Sequence, residues 1–459
     1  MKKISVFALI LFIAILIVPV AAMNHRKDAV SEIDNRALAT LPSWKTPDKS
    51  AALENYVNDR IGFRDEMILV YTVGNDRIFH KMMHPIYTYG KDGYVFAAGI
   101  TTDREFGEYE AAFVQMVKQM QDFCEERGIG FLFVFEPAKP AVLTEYLADG
   151  INYDRSWVDE LFAALDAEGI HYVDNTMTLR ERTLAGEAVF NQKYDANHWN
   201  DLGAFYGTNA ILEELHRDYP MIHVNQMADY TVTQELQSSL PVSHFPITEY
   251  VPLFLPNNTY RDETHLFSEE IRLDPDFRTF GYYINEKRLA EGAPSALVFQ
   301  GSYMNEYGVK YLANAFGEYA QVHDYQNAMH LDYYCNIFQP NCVVFEVAEY
   351  TMTDVYFDAA DMNSLHFNES YERALKEADS FETRSLAEES IVIEKGNTLT
   401  TLIWEQTDNV ADTWLIVGEK VFDMEKTDAG YSVTLLTDET DHEKIILATL
   451  KKGTLVTYR

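Results

Sequence analysis

Between Glu108 and Arg127 apolar side chains recur every three or four residues, at Phe113, Met116, Val117, Met120 and Phe123, until Gly128 ends the pattern. That spacing predicts an amphipathic helix with a glycine stop. Directly after it, Ile129 to Phe135 is a continuous apolar run of strand length, the mark of a strand covered on both faces, as in a parallel sheet. The unit repeats: Trp157, Leu161, Phe162 and Leu165 stripe a helix, Gly169 ends it, and Ile170 to Val173 follows as strand. Later, Ala296 to Gln300 is strand, Val309, Leu312 and Phe316 stripe a helix, and Val343 to Phe345 supplies another buried strand. Such alternation predicts a layered α/β domain, a mostly parallel sheet with helices on both faces.

Around this core the texture changes. Residues 220–290 are rich in Pro, Asn and aromatics without clear period, and read as an insertion or long cap. From about Ser390 short alternating runs, Leu399 to Trp404, Thr413 to Val417, Tyr431 to Leu436, Ile445 to Leu450 and Leu455 to Tyr458, predict a small antiparallel β domain. It reads either as a sugar-binding module or as a plain packing module. At the N-terminus Lys2 and Lys3 precede the apolar run Val6 to Ala22, an export signal that predicts either an uncleaved membrane anchor or a cleaved segment. The expected divisions are thus 1–24 anchor or signal, 25–100 linker and entry segment, 101–375 α/β domain with its insertion, and 385–459 β domain.

Charge and motifs remove several function classes. With 37 Lys+Arg against 72 Asp+Glu the formal net charge is -35, which repels phosphate backbones and makes nucleic acid an unexpected partner. No GxxxxGK[ST], well-placed GxGxxG or HExxH occurs, so no cofactor and no metal is expected. Cys124, Cys335 and Cys342 are odd in number and lack metal-like spacing, which argues against a disulfide framework and leaves one Cys335–Cys342 bridge open.

The chemistry-bearing segment is Tyr194-Asp195-Ala196-Asn197-His198-Trp199-Asn200, ahead of a helix carrying Leu202, Phe205, Tyr206 and Leu212. Asp three residues before His in a turn lets the carboxylate hold the imidazole tautomer and raise its basicity, as a general base requires. The competing reading is that Asp and Asn simply cap the helix. The best-placed nucleophile is Ser302, after strand Ala296 to Gln300 and Gly301, where an α/β sheet presents its active site and helix N–H groups can stabilise an oxyanion. Here too an ordinary helix cap is the alternative.

With these residues in place, the chain resembles the SGNH-hydrolase-like proteins of polysaccharide O-acetylation, AlgJ, AlgX and their DHHW relatives, across about residues 30–350. The ordered landmarks are Asp34-Asn35-Arg36, Asn58 to Asp65, Gly90 to Phe96, Pro137-Ala138-Lys139, Asp195 to Asn200, Phe299 to Tyr303 and Val343 to Glu349. The resemblance implies an SGNH core and a Ser-His-Asp centre with Ser302 as nucleophile, His198 as base and Asp195 as orienter. Tyr303, Asn305 and Trp199 are expected beside the substrate. It further implies an extracytoplasmic polysaccharide substrate and a membrane-bound O-acyltransferase that supplies acetyl. Two departures stand out: Gly301 replaces the aspartate of the family's Gly-Asp-Ser, and Ala196 stands where an Asp two before His is usual. They keep a catalytically degenerate polysaccharide-binding or assembly subunit as an alternative, and a carbohydrate esterase, in which water replaces the sugar hydroxyl at the same centre, is another.

Overall fold

The computed structural model describes residues 2–31, 33, 36–99, 104–387, 390–406, 412–440 and 445–459. The landmark residues Asp34 and Asn35 lie outside the described residues. The centre of the molecule is a seven-stranded sheet built, in chain order, from β1 (Gly130–Glu136), β2 (Tyr172–Asp174), β3 (Arg261–Asp262), β4 (Phe280–Ile284), β5 (Ser295–Gln300), β6 (Glu318–His323) and β7 (Cys342–Ala348). Their spatial order is β2-β1-β7-β5-β6-β4-β3. The first five of that order pair in parallel, and β4 and β3 add an antiparallel edge.

The apolar runs in β1, β5 and β7 serve two cores because successive side chains point to opposite faces. Phe131, Phe133, Phe135, Leu297, Phe299, Val343 and Phe345 pack one way, with helices α1 (Glu108–Glu126), α2 (Ser156–Ala167) and α6 (Leu331–Phe338). Leu132, Val134, Ala296, Val298 and Val344 pack the other way, with α3 (Asn175–Leu184), α4 (Asp201–His216) and α5 (Val309–Ala315). The layered α/β expectation is met.

The stretch 220–290 contains elements that sequence periodicity did not reveal. Tyr230–Ser239 and Pro246–Pro256 form a long antiparallel hairpin, while β3 and β4 join the main sheet. The hairpin is exposed along most of its first strand, so it lacks the apolar alternation by which a half-buried strand is recognised.

Beyond residue 380, Ser380–Arg384, Thr454–Tyr458, Ile445–Lys451, Asp412–Val417 and Lys420–Asp423 form one sheet, and Ile391–Lys395, Leu399–Trp404, Gly430–Leu436 and Glu425–Thr427 another. All pairings there are antiparallel except Ser380–Arg384 with Thr454–Tyr458. Arg127 ties this unit to the core by donating to both carboxylate oxygens of Asp423, at 3.0 and 2.7 Å.

The N-terminal run forms a helix, Lys2–Ala21, whose apolar side chains from Val6 onward are largely exposed. Among the described residues no helix is long and apolar enough to cross a membrane, so the expected spanning anchor finds no support. The following linker is gripped by buried Arg60, which donates to the carbonyls of Ala39, Arg26, Asn24, Leu38 and Lys27. Its neighbour Asp59 takes both Arg36 Nη atoms at 2.7 Å. The three cysteines are free and buried, so no Cys335–Cys342 bridge forms.

Trp199 is wedged against α4. A Cβ on Gly207 would stand 2.1 Å from the indole, and one on Gly203 would stand 2.8 Å from the Trp199 Cβ. Glycine inside a helix costs about 1 kcal/mol relative to alanine, and here it makes room for the largest side chain of the site segment. Gly207→Ala is expected to destabilise the fold by about 1–3 kcal/mol through overpacking, measured as a lower midpoint in urea unfolding; an unchanged midpoint would contradict this packing.

Candidate active site

The carboxyl ends of β1, β5, β6 and β7 converge on one place, where each strand hands over to a loop. Ser302 follows β5 through Gly301 and opens the helical run that leads through Met304–Gly308 into α5. The first N–H groups of such a run lack intrahelical partners and face whatever binds at the strand end.

His198 reaches Ser302 from the loop before α4. Its Nε2 lies 2.8 Å from Ser302 Oγ, and its Nδ1 lies 2.7 Å from Asp195 Oδ2. Since a carboxylate only accepts, Nδ1 carries the proton and Nε2 is left to accept from the Ser302 hydroxyl. Asp195 has φ +62°, a left-handed conformation that Asp tolerates better than most residues. The turn is held because Asp195 Oδ1 accepts the N–H groups of Asn197 and His198 at 3.0 and 3.1 Å. The helix cap is a different residue: Asn200 Oδ1 accepts from Leu202 and Gly203. Asp195 is thereby committed to the histidine, and Asn200 to α4.

Burial works against the charged forms of both groups, yet the pair outweighs it. The Asp195 carboxylate holds His198 above its ordinary pKa, and His198 with the turn N–H groups holds Asp195 below its own.

Two supports of this loop were not legible as site residues. Lys139 is fully buried and donates through Nζ to Val95 O and Asp195 O, both at 2.9 Å. Burial brings its ammonium down to about 8, so it stays largely charged at neutral pH. Glu249, from the hairpin, accepts the N–H groups of Gln192, Lys193 and Tyr194 at 2.6, 2.9 and 2.5 Å. A third residue, Tyr350, touches both Ser302 and His198. Its hydroxyl is 2.9 Å from Ser302 Oγ and 3.0 Å from His198 Nε2. Its only sequence signal is a position just past a buried strand.

The residues expected beside the substrate divide differently. Trp199 and Tyr303 are fully buried, with the Trp199 indole donating to Tyr303 O and the Tyr303 hydroxyl donating to Pro137 O and Asn197 O. They pack beneath the site instead of lining it, because their polar atoms are spent on backbone. Asn305 is half-buried and exchanges its side chain with Gln300, accepting from Gln300 Nε2 at 2.8 Å. A cavity of about 740 Å³ adjoins the site, with Asn197 and Tyr350 in its wall.

Gly301 has a definite environment. Its N–H donates to Glu346 Oε2 at 2.6 Å, and a Cβ there would stand 3.2 Å from Asp324 Oδ2. The Asp324 carboxyl therefore occupies the space into which a side chain at 301 would project. Asp324, Glu346 and Glu136 are all fully buried, with unpartnered carboxyl oxygens. His323 Nδ1 approaches Asp324 Oδ1 to 3.0 Å without hydrogen-bond alignment, and burial lowers that imidazole to about 4, so it is neutral. Burial and then repulsion from Glu346 raise Glu136 well above the carboxylate range, burial and then repulsion from Asp324 raise Glu346, and burial alone raises Asp324.

Residues 88–250 match the family model described as ALGX, the SGNH hydrolase-like domain of acetyltransferase AlgX. The match includes Asp195 and His198 and stops short of Ser302. Over these residues the resemblance to an SGNH hydrolase-like acetyltransferase domain is met, with the landmarks Gly90 to Phe96, Pro137 to Lys139 and Asp195 to Asn200 inside the match. Among solved structures, Bacillus cereus PatB1 with a sulfonyl adduct is similar at 17% identity and TM-score 0.46, covering 61% of this chain and 99% of that one. The O-acetyltransferase domain of Pseudomonas putida AlgJ is similar at 16% and 0.40, with 61% and 98% covered. A DHHW family protein from Eubacterium siraeum is similar at 15% and 0.41, with 61% and 98% covered. No curated protein matches the chain.

Acids with raised folded pKa contribute stability that is fully present below their unfolded pKa, about 4, and that is lost as pH rises through the folded value. Each should cost about 1.4 kcal/mol per pH unit within that window. Asp324→Asn, which keeps the shape and removes the titration, is expected to flatten the decline of unfolding free energy above pH 4; an unaltered slope would show that Asp324 does not titrate there.

Proposed function

We propose that the chain is an O-acetyltransferase acting on hydroxyls of an extracytoplasmic polysaccharide through Ser302, His198 and Asp195. The observation that carries this reading is the pair of hydrogen bonds at His198, 2.8 Å to Ser302 Oγ and 2.7 Å to Asp195 Oδ2. A base so placed takes the Ser302 proton as Oγ attacks the acetyl carbonyl of the donor, and returns it to the leaving group, which leaves an acetyl ester on Ser302. A sugar hydroxyl then gives its proton to His198 Nε2, attacks the ester, and departs acetylated while Ser302 Oγ regains the proton. Asp195 keeps the imidazole in the required tautomer and stabilises its cation. Tyr350 O–H, within reach of Oγ, holds the serine oxygen toward the donor. In keeping with the resemblance, acetyl would come from a membrane-bound O-acyltransferase. The basic pair and apolar helix at Lys2–Ala21 support export.

Ser302→Ala and His198→Ala are each expected to abolish acetylation of an oligosaccharide acceptor, read by mass spectrometry, with a loss of about 10³-fold or more. Acetate release with no transfer to any sugar would instead identify an esterase, and full activity in either variant would overturn the assignment. Because His198 must be neutral to act and its pKa is raised, the rising limb of kcat/KM against pH is expected above about 6.5. Asp195→Asn should move that limb to lower pH while reducing the rate; a limb unmoved by this substitution would separate Asp195 from the base. A reporter active only outside the cytoplasm, fused after Asn24, is expected to be active; an inactive fusion would contradict export.

A further inference from the structure

The cavity beside Ser302 has a charge and a surface that restrict what sugar it can take. Tyr350 and Asn197 belong to its wall, and Tyr350 O–H is the group 2.9 Å from Ser302 Oγ. Ser302 and His198 are not themselves in the wall, so a molecule in the cavity lies against Tyr350 and reaches the serine past that hydroxyl. The other lining groups include the rings of Tyr109 and Tyr153 and four carboxylates, Glu108, Glu110, Glu349 and Asp354, against one guanidinium, Arg104.

The cations nearby are spent. Arg104 donates to Glu110 Oε1 at 2.8 Å and to Met352 O, and its guanidinium stacks 3.7 Å over Trp157. Arg155, outside the lining, donates to both oxygens of Glu349, at 3.0 and 3.1 Å. Lys139 is buried behind the site with its ammonium on backbone carbonyls. Among the described residues neither Glu108 nor Asp354 pairs with a cation, and both are exposed. What remains is a cavity with apolar and aromatic patches and uncompensated negative charge at its edge.

We infer that this cavity is the acceptor subsite and that it takes an uncharged sugar unit, excluding uronate and phosphate-bearing polymers. The inference rests on the proposed transferase reading for its link to chemistry. Carbohydrate C–H faces pack on aromatic rings, and sugar hydroxyls donate to carboxylates, so Tyr109, Tyr153, Glu108 and Asp354 suit a neutral pyranose. An anionic unit would bring a carboxylate or phosphate against Glu108 and Asp354 with no free cation to meet it, a repulsive arrangement that selects against that partner.

The test uses the full chain carrying Ser302→Ala, so that binding is read without turnover, by titration calorimetry with oligosaccharides of matched length. Neutral cello- or N-acetylchito-oligosaccharides are expected to bind at least ~10-fold more tightly than oligomannuronate, a ratio worth about 1.4 kcal/mol. Raising salt should narrow the gap, and Glu108→Gln with Asp354→Asn should narrow it several-fold. Equal or tighter binding of the uronate, or a ratio indifferent to the double substitution, would overturn the subsite. A separate experiment, acyl-enzyme formation at Ser302 of the unaltered protein with 4-nitrophenyl acetate, decides the transferase reading. Its failure would leave the charge preference of the cavity to be judged by the binding ratio alone.

Discussion

A single buried ammonium fixes the geometry on which the site depends. Lys139 follows strand β1 and sends its charge into the interior, where Val95 O and Asp195 O receive it. An ammonium in a dry interior is costly unless its donors are met, so the carbonyls cannot drift without exposing the charge. Asp195 is thereby held by its backbone while its side chain holds His198. The left-handed turn at Asp195, unfavourable alone by about 1–2 kcal/mol, persists because this contact and the two turn N–H bonds over-determine it. Three landmark segments, Gly90 to Phe96, Pro137 to Lys139 and Asp195 to Asn200, thus meet at one atom.

The opposite side of the site is organised by carboxyls. Glu349, just past β7, accepts Ala138 N–H, the Tyr153 hydroxyl and both Arg155 donors, which locks the loop after β1 to the loop after β7. Behind them Glu346 receives Gly301 N–H and sits near Asp324, with no cation among the described residues paired to either. Where those acids are protonated they are shape-filling groups; ionised, they would press directly on the turn that presents Ser302.

Helices and parallel strands were legible because their apolar periods are dictated by burial on defined faces, and α1 and β1 begin and end within a residue of their sequence bounds. That Ser302, His198 and Asp195 meet was legible because loops at strand ends and helix starts have recognisable spacing. Tyr303, expected beside the substrate, is buried, and its position follows from helix geometry. In a helix the next residue points about 100° away, so a neighbour of Ser302 in sequence turns into the core. Tyr350 and Glu249 were not legible, since one is a tyrosine without a motif and the other acts from a hairpin that only tertiary contacts define. The departure at Gly301 reads differently once Asp324 is seen: the carboxyl that a side chain at 301 would meet comes from just past β6, the next strand along the chain.

The three cysteines carry a consequence for the life of the chain. Cys124, Cys335 and Cys342 are interior, and burial raises their thiols, Cys342 to about 12. Thiolate is the species that exchanges and oxidises, so the folded protein offers almost none of it. Maturation requires no oxidant and no isomerase, and the native state gains nothing from a change of redox environment. Once packed, the chain is chemically silent to the thiol traffic around it, and the hazard is confined to the interval before the sheet closes over those side chains.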